Sequence, residues 1–483
     1  MKFIRNSVLY TFVTFLQRAV GFFLLPLYTT YLTPADYGVV SVVTSYAGFV
    51  GMFALLSLNG AAQRFEFSLP EPERPAIWGT LYLFLIVNAF AVAGICFAFR
   101  RWLVMPFAPG IPFFPPMALG LATVAVAPAY ILYQTYLVSK QEARSYAANN
   151  LAYFTAGLVF TLLFVVRLRM GATGMLLAGA VTGGLFFVHA LVFFTPRIRF
   201  AFRRAILSKS LRYSLPLLPH ALSGWVVLLV NRVFLNYFKG AAAVGLFTIG
   251  YQIGNLLNVV TAAINQAYVP WFFEKMGEGE AGTRQVVRAA RILTVLYGLA
   301  ALVLSYFAPE VLRLMVSKSF QRGWVVVPLL SFSFVFSGMY YFFVNPLFLR
   351  KTSGVFKVSL TAAVVGVILH LLLVPRFGMQ GTAVADFVSA FVMSAAALFF
   401  TLRHEPIPFD WKRMYAIVGG FFVLSLLVMF QGRVEARLFF AIKFSVLSAV
   451  TGGLYAVYKR SFWATLGPII EKIRFPGAPA AGA

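Results

Sequence analysis

Tyr251, Asn255, Asn258 and Asn265 fall at i, i+4, i+7 and i+14, with Ala262 at i+11. On an α-helix that spacing makes one face. Amides stacked along a face among Ile, Leu and Val can hydrogen-bond a polar ligand in a wet cavity. They can also tie one helix to its neighbours. A second face carries Thr11, Thr14, Arg18 and Gly21, with Gln17 beside it. Arg18 lies ~10 residues, or ~15 Å, in from the first apolar position of its run. A third face carries His220 and Asn231, eleven residues apart, with Arg232 adjacent. Guanidinium groups bind phosphate and carboxylate through paired, charge-assisted hydrogen bonds. Placed among amides, they suit an anionic ligand.

The surrounding sequence makes these groups unusual. The chain has 483 residues, of which 61% are hydrophobic and 11% charged, with a mean hydropathy of +0.84. Soluble domains do not have this composition, and polytopic membrane proteins do. A helical span needs ~20 mostly apolar residues. Runs of that kind predict fourteen spans. The first six are 8–31, 38–58, 77–98, 115–138, 146–167 and 171–195. The next six are 214–238, 243–268, 291–315, 323–348, 354–375 and 379–402, and the last two are 413–431 and 438–458. Arg18 falls near mid-bilayer, where an arginine costs at least ~2.5 kcal/mol unless it faces protein or water. A contact to an anion in the lumen and a structural pair with a neighbouring helix both satisfy it. Arg232 is close to a span end, so snorkelling is its alternative. His220 also fits an ordinary hydrogen-bonded interior position. Pro216 and Pro219 remove backbone donors early in span seven and would kink it.

The predicted organisation is all-α: a six-span half over 1–195, a basic linker over 196–213, and a second six-span half over 214–402. Two further spans occupy 413–458, and a tail covers 459–483. The linker holds Arg197, Arg199, Arg203, Arg204, Lys209 and Arg212. With the N-terminus inside, 26 of the 40 Lys and Arg fall on the cytoplasmic side and 11 opposite. That bias puts both termini in the cytoplasm. Arg100, Arg101, Arg167 and Arg169 run against it. The net charge of +26 then fits basic loops facing anionic lipid headgroups rather than a nucleic-acid partner. The start, Met1-Lys2-Phe3-Ile4-Arg5, reads as the beginning of an uncleaved first span.

An internal repeat is visible at an offset of 207 residues. Ala35-Asp36-Tyr37-Gly38 followed by Val-Val-Ser-Val aligns with Ala242-Ala243-Val244-Gly245 followed by Leu-Phe-Thr-Ile. Arg64-Phe65 aligns with Trp271-Phe272. Six spans separate the equivalents, so the halves are parallel repeats about an axis along the membrane normal.

Other chemistry is thin. The lone Cys96 excludes an internal disulfide, and four scattered histidines do not make a metal cluster. No cofactor or metal is expected. There is no P-loop, no H-E-x-x-H and no G-x-S-x-G, so no enzyme activity is expected. Of 14 carboxylates, Asp386 alone lies well inside a span. It is the candidate for H⁺ or Na⁺ coupling, or else it pairs with a local polar group. Glu310 sits near the end of span nine. Arg64, just after span two, fits a gate at the inner entrance or a plain positive-inside anchor. Lys443, near an end of span fourteen, is expected to snorkel.

Phe15-Leu-Gln-Arg-Ala-Val-Gly-Phe-Phe-Leu-Leu-Pro-Leu-Tyr-Thr-Thr-Tyr-Leu-Thr-Pro-Ala-Asp-Tyr-Gly38 resembles the opening of polysaccharide-biosynthesis flippases, the Wzx-type transporters of the MOP superfamily. Ser214-Leu-Pro-Leu-Leu-Pro-His, Asn231-Arg232-Val-Phe-Leu, Val244-Gly-Leu-Phe and Gln266-Ala-Tyr-Val-Pro-Trp271 resemble their seventh and eighth helices. Many relatives carry Asp where this chain has Asn231. The resemblance implies two six-helix lobes around a V-shaped cavity, plus helices thirteen and fourteen. It implies a bacterial inner membrane and alternating access. The cargo it implies is an undecaprenyl-pyrophosphate-linked oligosaccharide, with polysaccharide polymerase and glycosyltransferases as partners. On that reading Arg18, Gln17, Tyr251, Asn255, Asn258, Asn265, His220, Asn231 and Arg232 line the cavity. A multidrug or cation antiporter of the same superfamily is the second reading, disfavoured by the scarcity of membrane carboxylates. A membrane glycosyltransferase or polymerase would need catalytic acids or a large exposed loop. The sequence does not name the sugar, the coupling ion or the oligomeric state.

Overall fold

The computed structural model describes residues 20–456 apart from 69–73, 200, 351–352, 405–406, 432–434 and 436–437; before residue 20 it describes Leu9, Val13, Leu16 and Gln17. The described residues are mostly helical, and no strand is among them. Eleven described helices are long and apolar enough to cross a bilayer. In hydrocarbon each backbone N–H and C=O must be satisfied within the chain, and helices do this segment by segment.

The helices run in order as α1 (Val20–Tyr31), α2 (Pro34–Leu55), α3 (Leu58–Ser68), α4 (Arg74–Ala98), α5 (Ala118–Ser139), α6 (Ala143–Thr161) and α7 (Gly171–Phe194). Then come α8 (Arg204–Ser214), α9 (Leu218–Lys239), α10 (Ala241–Met276), α11 (Glu280–Met315), α12 (Val327–Val344), α13 (Ser353–His404) and α14 (Trp411–Ser425), with α15 (Leu438–Ala456) last. Two compact units result. One comprises Met1–Ile249, Val311–Gly323 and Ala363–Ala385, the other Gly250–Glu310, Trp324–Ala362 and Asp386–Ala483.

Several details depart from the sequence reading for physical reasons. The two spans expected at 354–375 and 379–402 are instead as read: α13 covers both, and Gly378, with a φ of +54°, divides it into two helices between them. Only glycine adopts that backbone without strain. Pro216 and Pro219 do not kink α9. Pro216 lies in the 3₁₀ turn Leu215–Leu217 and Pro219 in the first turn of α9, where a missing N–H removes no helical bond. The basic linker is not irregular. Its second half is the amphipathic α8, with Ile206, Ser210 and Ser214 buried and Arg204, Lys209 and Arg212 exposed.

The first unit is fastened where α2 begins. Thr33 caps α2, accepting a hydrogen bond from Asp36 N at 3.1 Å, and Asp36 Oδ2 accepts one from Thr33 N at 3.0 Å. This reciprocal box satisfies two orphan donors of the helix start. Asp36 Oδ1 also accepts from Ala172 N, 3.1 Å away at the start of α7. Deeper in the unit, Trp78, Tyr82, Tyr133 and Phe194 form an aromatic core. Beside it the buried Glu66 accepts from Trp78 Nε1 at 2.7 Å and pairs with Lys140.

The second unit is built on Phe272, Tyr297, Tyr306, Phe332, Phe342 and Phe343. Lys443 of α15 corrects the sequence reading: it does not snorkel but is 2% exposed. Its Nζ donates to Glu310 Oε1 at 2.8 Å, to Tyr306 O at 2.6 Å and to Gln431 Oε1 at 3.0 Å. A dry ammonium with a carboxylate and two further acceptors is stable where an unpaired one is not.

Lys443→Ala should therefore destabilise the detergent-solubilised protein by about 3 kcal/mol, the low end for breaking such a pair because Glu310 keeps some solvent contact. The double variant Lys443→Met with Glu310→Gln should lose less, since no charge is left unpaired. Chemical denaturation followed by circular dichroism measures both. Equal losses in the two would show that the ion pair is not what holds α15 to α11.

Candidate functional site

Two polar constellations lie inside the first unit, and a third runs along the part of α10 that belongs to the second.

The first is a seam between the opening turns of α2 and α10. Gly38 packs so closely on Ala241 that a Cβ there would overlap the Ala241 carbonyl, and Gly245 packs in the same way on the Pro34 carbonyl. Pro34 and Ala241 are equivalents at the 207-residue offset, as are Gly38 and Gly245. The two contacts are thus reciprocal, the mark of a local two-fold relation. Three residues further on, the equivalents Ser41 and Thr248 share a hydrogen bond of 2.9 Å between their hydroxyls. The Thr248 hydroxyl is also 2.8 Å from Val244 O, one turn back.

Arg232 of α9 closes this seam. It is 6% exposed, and its Nε donates to Ser41 Oγ at 3.3 Å. It is therefore held inside protein rather than reaching for a headgroup. Asn231 beside it is buried as well. Asn236, one turn on, donates to Pro109 O at 2.8 Å. The seam joins neutral hydroxyls to one guanidinium.

The second constellation is a cavity of about 850 Å³ walled by α2, α5, α6 and α7. Gln17 stands at its edge and donates from Nε2 to Asn150 O at 2.9 Å. Asn150 Nδ2 in turn reaches Gln134 Oε1 at 3.2 Å. Gln17 is a cavity candidate from its place in the sequence, whereas Asn150, next to Asn149 near a span edge, reads there as an ordinary polar helix start. Tyr28, Tyr130 and Tyr153 add phenol rings, and Thr44, Thr123, Thr161 and Thr182 add hydroxyls. No Lys, Arg, His, Asp or Glu is among the described lining residues.

The third is the asparagine stripe. Asn258 Nδ2 donates to Asn255 Oδ1 at 3.0 Å, and Thr261 Oγ1 donates to Asn258 O at 3.1 Å. These bonds run along α10 itself. Asn265 Oδ1 is buried and has no hydrogen-bond partner among the described residues. Tyr251 packs edge-on against Phe334, with ring centroids 5.7 Å apart. The amides are half-buried, so a solvated ligand can compete for them.

The remaining candidates are placed as follows. Arg64 is exposed on α3, its guanidinium stacked 4.4 Å above the Tyr213 ring of α8. Asp386 is half-buried in α13, eight residues past the break at Gly378. Arg18 and the side chain of His220 lie outside the described residues. The described His, Cys, Asp and Glu form no group that could hold a metal ion.

Comparison with known proteins assigns a family to this geometry. The family model described as polysaccharide biosynthesis protein matches residues 3–276. Protein 1 of the Lsg locus of Haemophilus influenzae is 21% identical over 327 residues, spanning 66% of this chain and 78% of that protein. An uncharacterized membrane protein of the same organism is 31% identical over 121 residues, or 25% of this chain and 30% of that one. Among solved structures, the lipid II flippase MurJ in an inward closed conformation superposes with a TM-score of 0.71 at 11% identity, covering 96% of this chain and 99% of that one. An inward-facing multidrug resistance MATE transporter of the MOP superfamily superposes with a TM-score of 0.60 at 14% identity, covering 82% and 94%. The chain belongs to the polysaccharide biosynthesis protein family and is a multi-pass membrane protein with the fold shared by MurJ and MATE transporters.

Proposed function

We propose that the chain is a flippase that moves an undecaprenyl-pyrophosphate-linked oligosaccharide from the cytoplasmic to the outer leaflet of a bacterial inner membrane. Both termini lie in the cytoplasm. The observation that carries this reading is the family match over residues 3–276 in a chain that folds like a lipid II flippase. A pyrophosphate-sugar head group is too polar to cross hydrocarbon unaided, and the polar groups within these helices supply a path. Arg18 neutralises phosphate, while Gln17 and the Asn255–Asn258–Asn265 stripe hydrogen-bond the sugar. Polysaccharide polymerase and glycosyltransferases are its partners.

The seam fits alternating access. By the charge bias, the starts of α2 and α10 face away from the cytoplasm. They touch through glycine and through a few replaceable hydrogen bonds, a contact that can part and reform without exposing a large apolar surface. Coupling to H⁺ or Na⁺ at Asp386 is the energetic counterpart.

Three outcomes test this. In a variant with Cys96→Ser, the pair Ser41→Cys and Thr248→Cys should form a disulfide under mild oxidant, since the native hydroxyls are 2.9 Å apart. Surface glycan export should stop and return on reduction; export that continues through the crosslink would mean the seam need not open. Arg18→Ala should lower export at least tenfold at unchanged membrane abundance, with Arg18→Lys retaining a measurable part; normal surface glycan in Arg18→Ala would remove this residue from the mechanism. For Asp386→Asn, the residual export should no longer respond to an ionophore that collapses the proton or sodium gradient. An unchanged ionophore response would place coupling elsewhere.

A further inference from the structure

We infer that the cavity of the first unit is a site for the uncharged sugar portion of the cargo, distinct from the groups that meet its phosphates. The inference rests on the flippase reading and assigns one part of the substrate to one wall of the protein.

The lining selects by chemistry. A phosphate site needs a cation, and no Lys, Arg or His is among the described lining residues. A cationic ligand needs a carboxylate, and none is among the described lining residues. Apolar side chains form most of the wall, as in ligand pockets generally, and amides, phenols and hydroxyls are set among them. Its volume of about 850 Å³ is in the range of organic-ligand pockets and suits a short oligosaccharide.

The hydrogen-bonding sense also matches. Thr44, Thr123, Thr161 and Thr182 each donate their hydroxyl hydrogen to a carbonyl one turn back. Their oxygens keep acceptor capacity. Thr44 and Thr123 are the more accessible of the four, and a sugar is rich in the O–H donors that their oxygens would accept. Tyr130 and Tyr153 stack with centroids 5.1 Å apart and planes 12° from parallel. Such a pair offers a flat surface for the C–H face of a pyranose ring.

Glycine keeps the space open. Gly51 of α2 and Gly179 of α7 both line the cavity. A Cβ on either would meet nothing within 4 Å. Glycine weakens a helix relative to alanine, and no packing contact requires it at these two positions. Their effect is to leave room.

The test uses the full-length protein in its own host with the chromosomal copy deleted. Gly51→Leu and Gly179→Leu should each reduce surface glycan at least tenfold at normal membrane abundance, while lipid-linked glycan accumulates. Gly51→Ala should export almost normally. Gly94→Leu, equally open around its Cβ but outside the cavity, should also export normally. Independently, p-benzoylphenylalanine at Thr123 should photocrosslink to a species whose mass spectrum contains sugar fragments, and the adduct should vanish when the first sugar transfer to the lipid is blocked. Normal export in both leucine variants, or a Thr123 adduct consisting of phospholipid alone, would overturn the assignment while leaving the flippase reading intact. A deletion strain with normal surface glycan and no accumulated lipid-linked glycan would instead overturn the flippase reading.

Discussion

Backbone meets backbone where Gly38 rests on Ala241 and Gly245 on Pro34. In lipid, helices gain little from hiding apolar area, so close contact and interhelical hydrogen bonds must hold them together. Glycine at this point removes the side chain that would separate α2 from α10. Because the two contacts are reciprocal under the 207-residue repeat, one residue type solves both. Ser41 and Thr248 then come within hydrogen-bond distance, and Arg232 finds an acceptor in protein. A larger residue at Gly38 would undo all three relations at once.

That constraint reaches the cavity through α2. Gly38 and Ser41 face the seam, whereas Val40, Thr44, Ala47 and Gly51 line the cavity. One helix therefore presents its close-packing side to α10 and its small, weakly polar side to open space. The distribution of charge follows the same economy. Asp36 is occupied in capping α2 and tethering α7. Glu66 is held by Trp78 and Lys140, and Glu310 by Lys443 and Gln431. These three carboxylates balance local cations and helix ends.

What could be read in the sequence was what repeats or is periodic. The apolar runs place the spans, and Ala-x-x-Gly at 35–38 and 242–245 marks both sides of the seam before any contact is known. Asp36 three residues after Thr33 is a capping pattern legible in the chain. Tertiary partnership was not legible. Gln17 and Asn150 are 133 residues apart, and neither alone announces a cavity. Arg232 near a span end fits a snorkelling residue equally well, until packing against α2 decides its direction. Lys443 misled for the same reason, since its acceptor, Glu310, lies on another helix 133 residues earlier. The helix in the basic linker left a trace in Ile206, Ser210 and Ser214 at four-residue spacing, but the small serines hide it from a hydropathy reading.

The asparagine stripe gains its place from the same helix. Thr248, Tyr251, Asn255 and Asn258 follow one another at three- and four-residue steps, so the face that pins α10 to α2 continues directly into the stripe. Thr248 is bonded across the seam, whereas Asn255 and Asn258 bond along their own helix. A helix whose polar face is fixed at one end and bonded along itself further on can release the fixed end while the bond between Asn255 and Asn258 stays made. The alternating access proposed above needs that property, because an asparagine stripe tied to neighbouring helices would resist each parting of the seam. The intrahelical bond between Asn255 and Asn258 thus keeps two amides solvated by protein, within reach of a ligand, and independent of whether the glycine contact is made.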